Sequence, residues 1–142
     1  MDFAYTTKEL IHENSAGYVY WIDDTYVYIS IKDIKSLYQT ETTEFIVAVS
    51  EYFDYKVPVV IDRINHYSVD EDSFKVTNEL APLCFTAIAF VGHDNQGTWA
   101  NNYSRDRFST VVPSEVFTDQ HSAIEWIKKN HFCSKTEPSG KH

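Results

Sequence analysis
Two histidines stand just beyond two apolar runs, and each has an aspartate close to it. Residues 57–64 read VPVVIDRI, with Asp62 inside the run and His66 shortly after it. Residues 85–91 read FTAIAFV, and Gly92, His93 and Asp94 follow. Imidazole is the side chain that exchanges a proton near neutral pH and the commonest metal ligand. If the two runs are adjacent parallel strands, Asp62, His66, His93 and Asp94 meet at the carboxyl edge of a sheet, where α/β proteins place ligands. They could then act as an acid/base or small-molecule site. Neither histidine lies in an H-x-x-x-H spacing, so no metal set is expected. Asp62 has a structural alternative, which is to bond nearby backbone at the start of a turn.

Ser68 is the next candidate. Ser68 and Glu71 have the S-x-x-E form of a capping box, which predicts Ser68 as the N-cap of a helix. Asp70, Glu71 and Asp72 then fall near its first turn, where the macrodipole favours anions. Ser68 is also a hydroxyl that could carry a phosphate, but those three carboxylates would repel one. The cap therefore accounts for Ser68 better than a phosphosite. Cys84 and Cys133 lack C-x-x-C spacing and are expected as free thiols in a reducing compartment, with Cys84 packed in the core. Gly92 and Gly97 flank a loop without a G-x-G-x-x-G or Walker pattern, so no nucleotide cradle and no cofactor is expected. Trp99, Tyr103 and Phe108 could line a pocket, though aromatics at this spacing usually pack inside. His131 suits the end of a helix, opposite its dipole.

The elements that must position these residues follow from the pattern. The 57–64 run is short and rich in β-branched residues, which predicts a strand buried on both faces at the centre of an α/β sheet. Residues 18–22 and 25–31 flank Asp23-Asp24 and predict an antiparallel hairpin. In its second strand Val27, Ile29 and Ile31 share one face, while Tyr26, Tyr28 and Ser30 share the other. Thr42, Phe45, Ile46, Val49, Tyr52 and Phe53 fall on one helical stripe over residues 40–53. The helix after Ser68 should stop near Ala81, because Pro82 cannot continue it cheaply. Residues 98–106 suggest a short helix, and 110–117 an irregular edge strand containing Pro113. A last helix over 119–131 carries Ala123, Ile124, Trp126 and Ile127 on its apolar face. Val59, Ile61, Ala87, Ala89, Ile124 and Trp126 are expected in one core. The organisation is an arm over 1–16, one α/β domain over 17–131 and a disordered tail over 132–142.

The bulk numbers narrow the functional classes. The chain has 142 residues, 43% of them hydrophobic, enough for one domain with a sizeable core. It carries 21 acidic against 12 basic residues, for a net charge of -9. That sign disfavours nucleic acid and anionic membrane surfaces as partners. No run approaches the length of a membrane span. The first ten residues, MDFAYTTKEL, have no basic region followed by an apolar core, so no signal peptide is read there and a cytoplasmic location is expected.

Three segments resemble a known family. VPVVIDR at 57–63, FTAIAFVG at 85–92 and VFTDQHSAIEWIKKN at 116–130 are similar to the STAS domain, or SpoIIAA-like fold, and most of all to small stand-alone bacterial members of unknown function. The resemblance implies an N-terminal antiparallel hairpin, then β/α units, in a mixed sheet of about five strands with about four helices. It also implies a non-enzymatic regulatory or protein-interaction module with an unidentified protein partner. Antagonist members resemble one another in an Asp-Ser-Ser-Gly-like stretch after the central strand, where a serine is phosphorylated. Here residues 67–74 read YSVDEDSF, with no glycine. The alternative function is a small-molecule or metal-binding protein, or an enzyme, using Asp62, His66, His93 and Asp94. A homodimer is expected through the tyrosine face of the hairpin, with Tyr18, Tyr20, Tyr26 and Tyr28 as its contact. The arm, with Phe3, Tyr5, Leu10 and Ile11, could cover that face instead.

Overall fold
A computed structural model describes residues 7–108 and 111–130 of the chain. Part of the expected arm belongs to the sheet. Strand β1 (Lys8–Glu13) runs antiparallel to β2 (Gly17–Ile22), with Leu10 opposite Tyr20. Its sequence, KELIHE, hides it, because only Ile11 packs on the core while Leu10 stays 51% exposed. Strand β2 then pairs antiparallel with β3 (Tyr26–Ile31). The turn between them has positive φ at both Asp23 and Asp24, and Thr25 N–H donates to the Ile22 carbonyl at 2.8 Å. Those are the features of a primed hairpin turn, whose twist matches the strands, and Asp tolerates this conformation better than most residues.

The chain continues as β4 (Ser36–Leu37), α1 (Gln39–Tyr52), β5 (Val57–Arg63), β6 (Ser68–Val69) and α2 (Glu71–Cys84). It closes with β7 (Phe85–Gly92), α3 (Asn95–Phe108), β8 (Ser114–Phe117) and α4 (Gln120–Asn130). The six-stranded sheet has the order β1-β2-β3-β5-β7-β8, and β3, β5, β7 and β8 are parallel. Strands β4 and β6 pair separately as a small parallel patch. Pro58 sits in the central strand at a register shift against β7, where its missing N–H does least harm.

Alternation along β5 divides the interior in two. Val57 and Val59 face Phe45, Ile46 and Val49 of α1, Phe74 and Ala81 of α2, and Phe108 of α3. Val60 faces the other way, with Ala89 and Val91 of β7, under Ala123 and Ile127 of α4. The single core expected from the sequence is therefore two clusters, one on each side of the sheet. Val59, Ala87 and Ala89 are buried, whereas Ile61, Ile124 and Trp126 are half-buried. For Ile124 and Trp126 the reason is that, among the described residues, α4 is the one helix packed on its face of the sheet, so the flanks of its apolar stripe stay partly open. Trp126 rests on Phe117, ring centroids 5.6 Å apart.

Several local expectations are corrected. Ser68 is not a cap: its N–H donates to the Lys35 carbonyl at 3.0 Å within the β4–β6 patch. That pairing delays the helix, and Asp70 caps α2 by accepting the Asp72 N–H at 3.1 Å. Helix α2 runs through Pro82 to Cys84, losing one late hydrogen bond while keeping the Phe85 N–H on the Ala81 carbonyl. Helix α3 begins at Asn95 and ends at Phe108, longer than expected, and β8 is confined to Ser114–Phe117. Cys84 is a buried free thiol, and burial raises its pKa. Phe3, Tyr5, His131, Cys133 and the tail lie outside the described residues.

The tyrosine face of the hairpin is largely occupied from within the chain. Tyr26 is 3% exposed and packs with the α4 cluster, so it is not available as a contact residue. Tyr28 is also drawn into the molecule. Tyr18 and Tyr20 remain half-buried and stacked at 6.0 Å, with Lys32 Nζ 4.8 Å over Tyr18 and Lys8 Nζ 4.4 Å over Tyr20.

Candidate functional site
The carboxyl ends of β5 and β7 bring Asp62, His66, His93 and Asp94 to one edge, arranged as two pairs. Asp62 shares the face of Val60, and its side chain is only 6% exposed. Its Oδ1 pairs with His93 Nε2 at 2.6 Å, and its Oδ2 accepts a hydrogen bond from the Tyr28 hydroxyl. Burial first, and then this bond to Asp62, push the Tyr28 pKa well above the ordinary tyrosine value. Tyr28 thus stays a donor, and one buried carboxylate serves two rings, one on β3 and one just past the end of β7. His93 remains about half exposed, at 48%.

The second pair is on the surface. Asp94 Oδ2 and His66 Nε2 are 3.0 Å apart, and both side chains are more than two-fifths exposed. Asp94 Oδ1 also accepts the Gly97 N–H at 2.7 Å, capping the first turn of α3. That backbone bond, with His66 beside it, lowers the Asp94 pKa. The turn is tight because Gly92 lacks a side chain: a Cβ there would stand 2.9 Å from Thr98 N.

Among the described residues, His93 bonds to no hydroxyl or thiol that it could activate as a nucleophile, and no three of His, Cys, Asp and Glu converge on a point that could hold a metal ion. What the edge does offer is a surface. A cleft of about 330 Å³ opens beside the second pair, lined by His66, Tyr67, Ser68, Gln96, Trp99 and Tyr103. Trp99 is 72% exposed and stacks on Tyr103 with 6.3 Å between centroids. Under the cleft, Arg63 points away from Asp62, as strand alternation demands. Its guanidinium lies 4.0 Å over the Tyr67 ring.

The sequence pattern marks Asp62, His66, His93 and Asp94 as site residues, but not Tyr28, Arg63 or the exposed Trp99. Tyr28 could have been found from parity, since it shares a face with Asp62 once β3 and β5 are adjacent and in register. That register, with Ser30 opposite Asp62, is set by tertiary pairing.

No family model matches the chain, and no curated protein is similar to it. Among solved structures, an uncharacterized protein of the DUF3478 family with a SpoIIAA-like fold, from Shewanella loihica PV-4, is similar to it. The two are 14% identical, the match covers 88% of this chain and 98% of that one, and the TM-score is 0.54. The chain has a SpoIIAA-like fold. Within it, segments 57–63 and 85–92 are β5 and β7, and α4 contains most of segment 116–130. Residues 67–74 span β6 and the start of α2. In this SpoIIAA-like chain Tyr67, Ser68, Val69 and Phe74 of that stretch all border the cleft beneath Trp99.

Proposed function
We propose that this chain is a non-enzymatic SpoIIAA-like regulatory module that docks a protein partner at its carboxyl edge. The observation behind this is Trp99, a large ring stacked on Tyr103 yet left 72% exposed beside a cleft. Tryptophan is enriched among the residues that dominate protein interfaces. The cleft adds polar rim groups in His66, Ser68 and Gln96. The stretch equivalent to the antagonist switch segment borders the same cleft, which favours a protein partner over a substrate. The net charge of -9 disfavours nucleic acid. The test is capture of binding proteins from the native cell on the purified chain, in parallel with Trp99→Ala. One stoichiometric partner retained by the wild type and lost by a folded Trp99→Ala supports the proposal. Equal retention by both, or no stoichiometric partner, overturns it.

A further inference from the structure
Arg63 is a buried cation whose partners among the described residues are all neutral, the Tyr67 ring 4.0 Å from its guanidinium among them. It is 5% exposed, yet among the described residues no carboxylate stands within ion-pair distance of it. Its Nε donates to Asn101 Oδ1 at 3.1 Å and its Nη1 to the Tyr67 carbonyl at 2.9 Å. A buried cation with only neutral partners is costly. Asn101 is 1% exposed, and its Nδ2 has no hydrogen-bond partner. The orientation of that amide is fixed by chemistry. Arginine can only donate, so Asn101 must turn its oxygen to Arg63 and leave its NH2 unused.

Both residues line one cavity of about 80 Å³ between the sheet and the helices α1, α2 and α3. The rest of its wall is mostly apolar, including Ile31, Phe45, Ile88 and Phe90. Three of its hydroxyls are committed: Thr42 and Ser73 lie 3.0 Å apart, Ser73 donates to the Leu37 carbonyl, and Thr77 donates to the Ser73 carbonyl. Tyr67 and Ser104 also border it. Arg63 and Asn101 give the cavity a polar pole with a cation and a spare donor, against a mostly apolar remainder.

We propose that this cavity binds a small apolar carboxylate. The anion accepts the Asn101 N–H and compensates Arg63, while a short hydrocarbon tail fills the space among Ile31, Phe45 and Ile88. Water is a poorer occupant. A water molecule needs roughly 10–15 Å³ of such space and two or more polar partners, which most of this wall lacks. An engineered apolar cavity of about 150 Å³ holds benzene, so a ligand here is no larger than that. Leu37 and Val69, in the β4–β6 patch, form part of the wall. Two backbone bonds of 3.0 Å, Ser68 N–H to Lys35 and Asp70 N–H to Leu37, hold that patch, and their opening is the entry route.

This proposal does not rest on docking at Trp99, although the cavity shares Arg63, Tyr67 and Phe74 with that cleft. The test titrates the full chain with sodium isobutyrate and with isobutyramide, at matched ionic strength, by calorimetry and by NMR of the Asn101 side-chain NH2. Isobutyrate is expected to bind one to one with a Kd below about 1 mM, to move the Asn101 signals, and to exceed the amide by about tenfold or more. Asn101→Leu should lose that affinity, and Trp99→Ala should keep it. No binding at about 10 mM isobutyrate, or equal binding of the amide, overturns the proposal. If Asn101→Leu fails to fold, the acid–amide contrast and the Asn101 signals in the wild type still decide it.

Discussion
Aromatic rings gather at both ends of the sheet, and they are used differently at each. At the amino edge Phe53 sits 4.5 Å from Trp21, 4.8 Å from Tyr52 and 5.4 Å from Tyr55, all in edge-to-face contact. Trp21 is 5% exposed, and its indole N–H donates to Asp24 at 3.0 Å. Tyr52 is bound to Glu9, whose carboxylate pushes its pKa up to about 12. At the carboxyl edge Trp99 has one stacked neighbour, an open face and a cleft beside it. A ring whose faces and polar tip are satisfied inside the chain contributes stability. A ring left open is available to another molecule. Trp21 therefore holds the fold and Trp99 can serve binding, although the amino edge also leaves Tyr52 42% exposed.

Substitutions test that separation, from the largest expected effect down. Trp21→Ala should cost about 3–5 kcal/mol of unfolding free energy, typical of a deleted buried ring. A chemical denaturation curve measures it, and a loss under about 1 kcal/mol would mean that the amino-edge group is not packed as described. Asp62→Ala removes the buried carboxylate that Tyr28 and His93 share and should cost about 1–3 kcal/mol by the same measurement. A neutral result there would place Asp62 outside the structural network.

Asp94→Ala should cost less than Asp62→Ala, because its carboxylate is exposed, and its cost should depend on pH. The folded pKa of Asp94 lies below the ordinary value of 3.8. A lowered carboxylate contributes stability above its unfolded pKa and loses it as pH falls through the folded value. The gap between wild type and Asp94→Ala should therefore shrink on acidification below pH 3.8. A gap unchanged into strong acid would show that Asp94 does not act through its charge. Trp99→Ala, the smallest, should change stability by no more than about 0.5 kcal/mol, as for most surface sites. A loss as large as that of Trp21→Ala would make Trp99 a core residue.

The elements were legible where one physical signal dominated. The apolar runs of β5 and β7 announced buried strands, the α1 stripe announced its helix, and Asp23-Asp24 announced the turn. Strand β1 was not legible, because an edge strand with one face in water needs few apolar residues, and Ile11 alone marks its inner side. Ser68 misled because a capping box and the start of a short strand begin alike, and only the pairing with Ser36 decides between them. At the site, residue type marked His66 and His93 equally. Their different roles come from parity: Asp62 faces inward beneath α4, while Asp94 sits on a helix start in water. The exposure of Trp99 was not readable from spacing, since α3 presents Asn101 and Ser104 inward and its largest ring outward.

The most direct test of binding at the carboxyl edge uses a photo-reactive amino acid placed in the living cell at position 99 or, separately, at position 83. Leu83 is the matched control, 69% exposed but at the amino edge. The account predicts one discrete cross-linked protein from position 99 and none from position 83. The same cross-link from both positions, or none from position 99 while position 83 reacts, would contradict it.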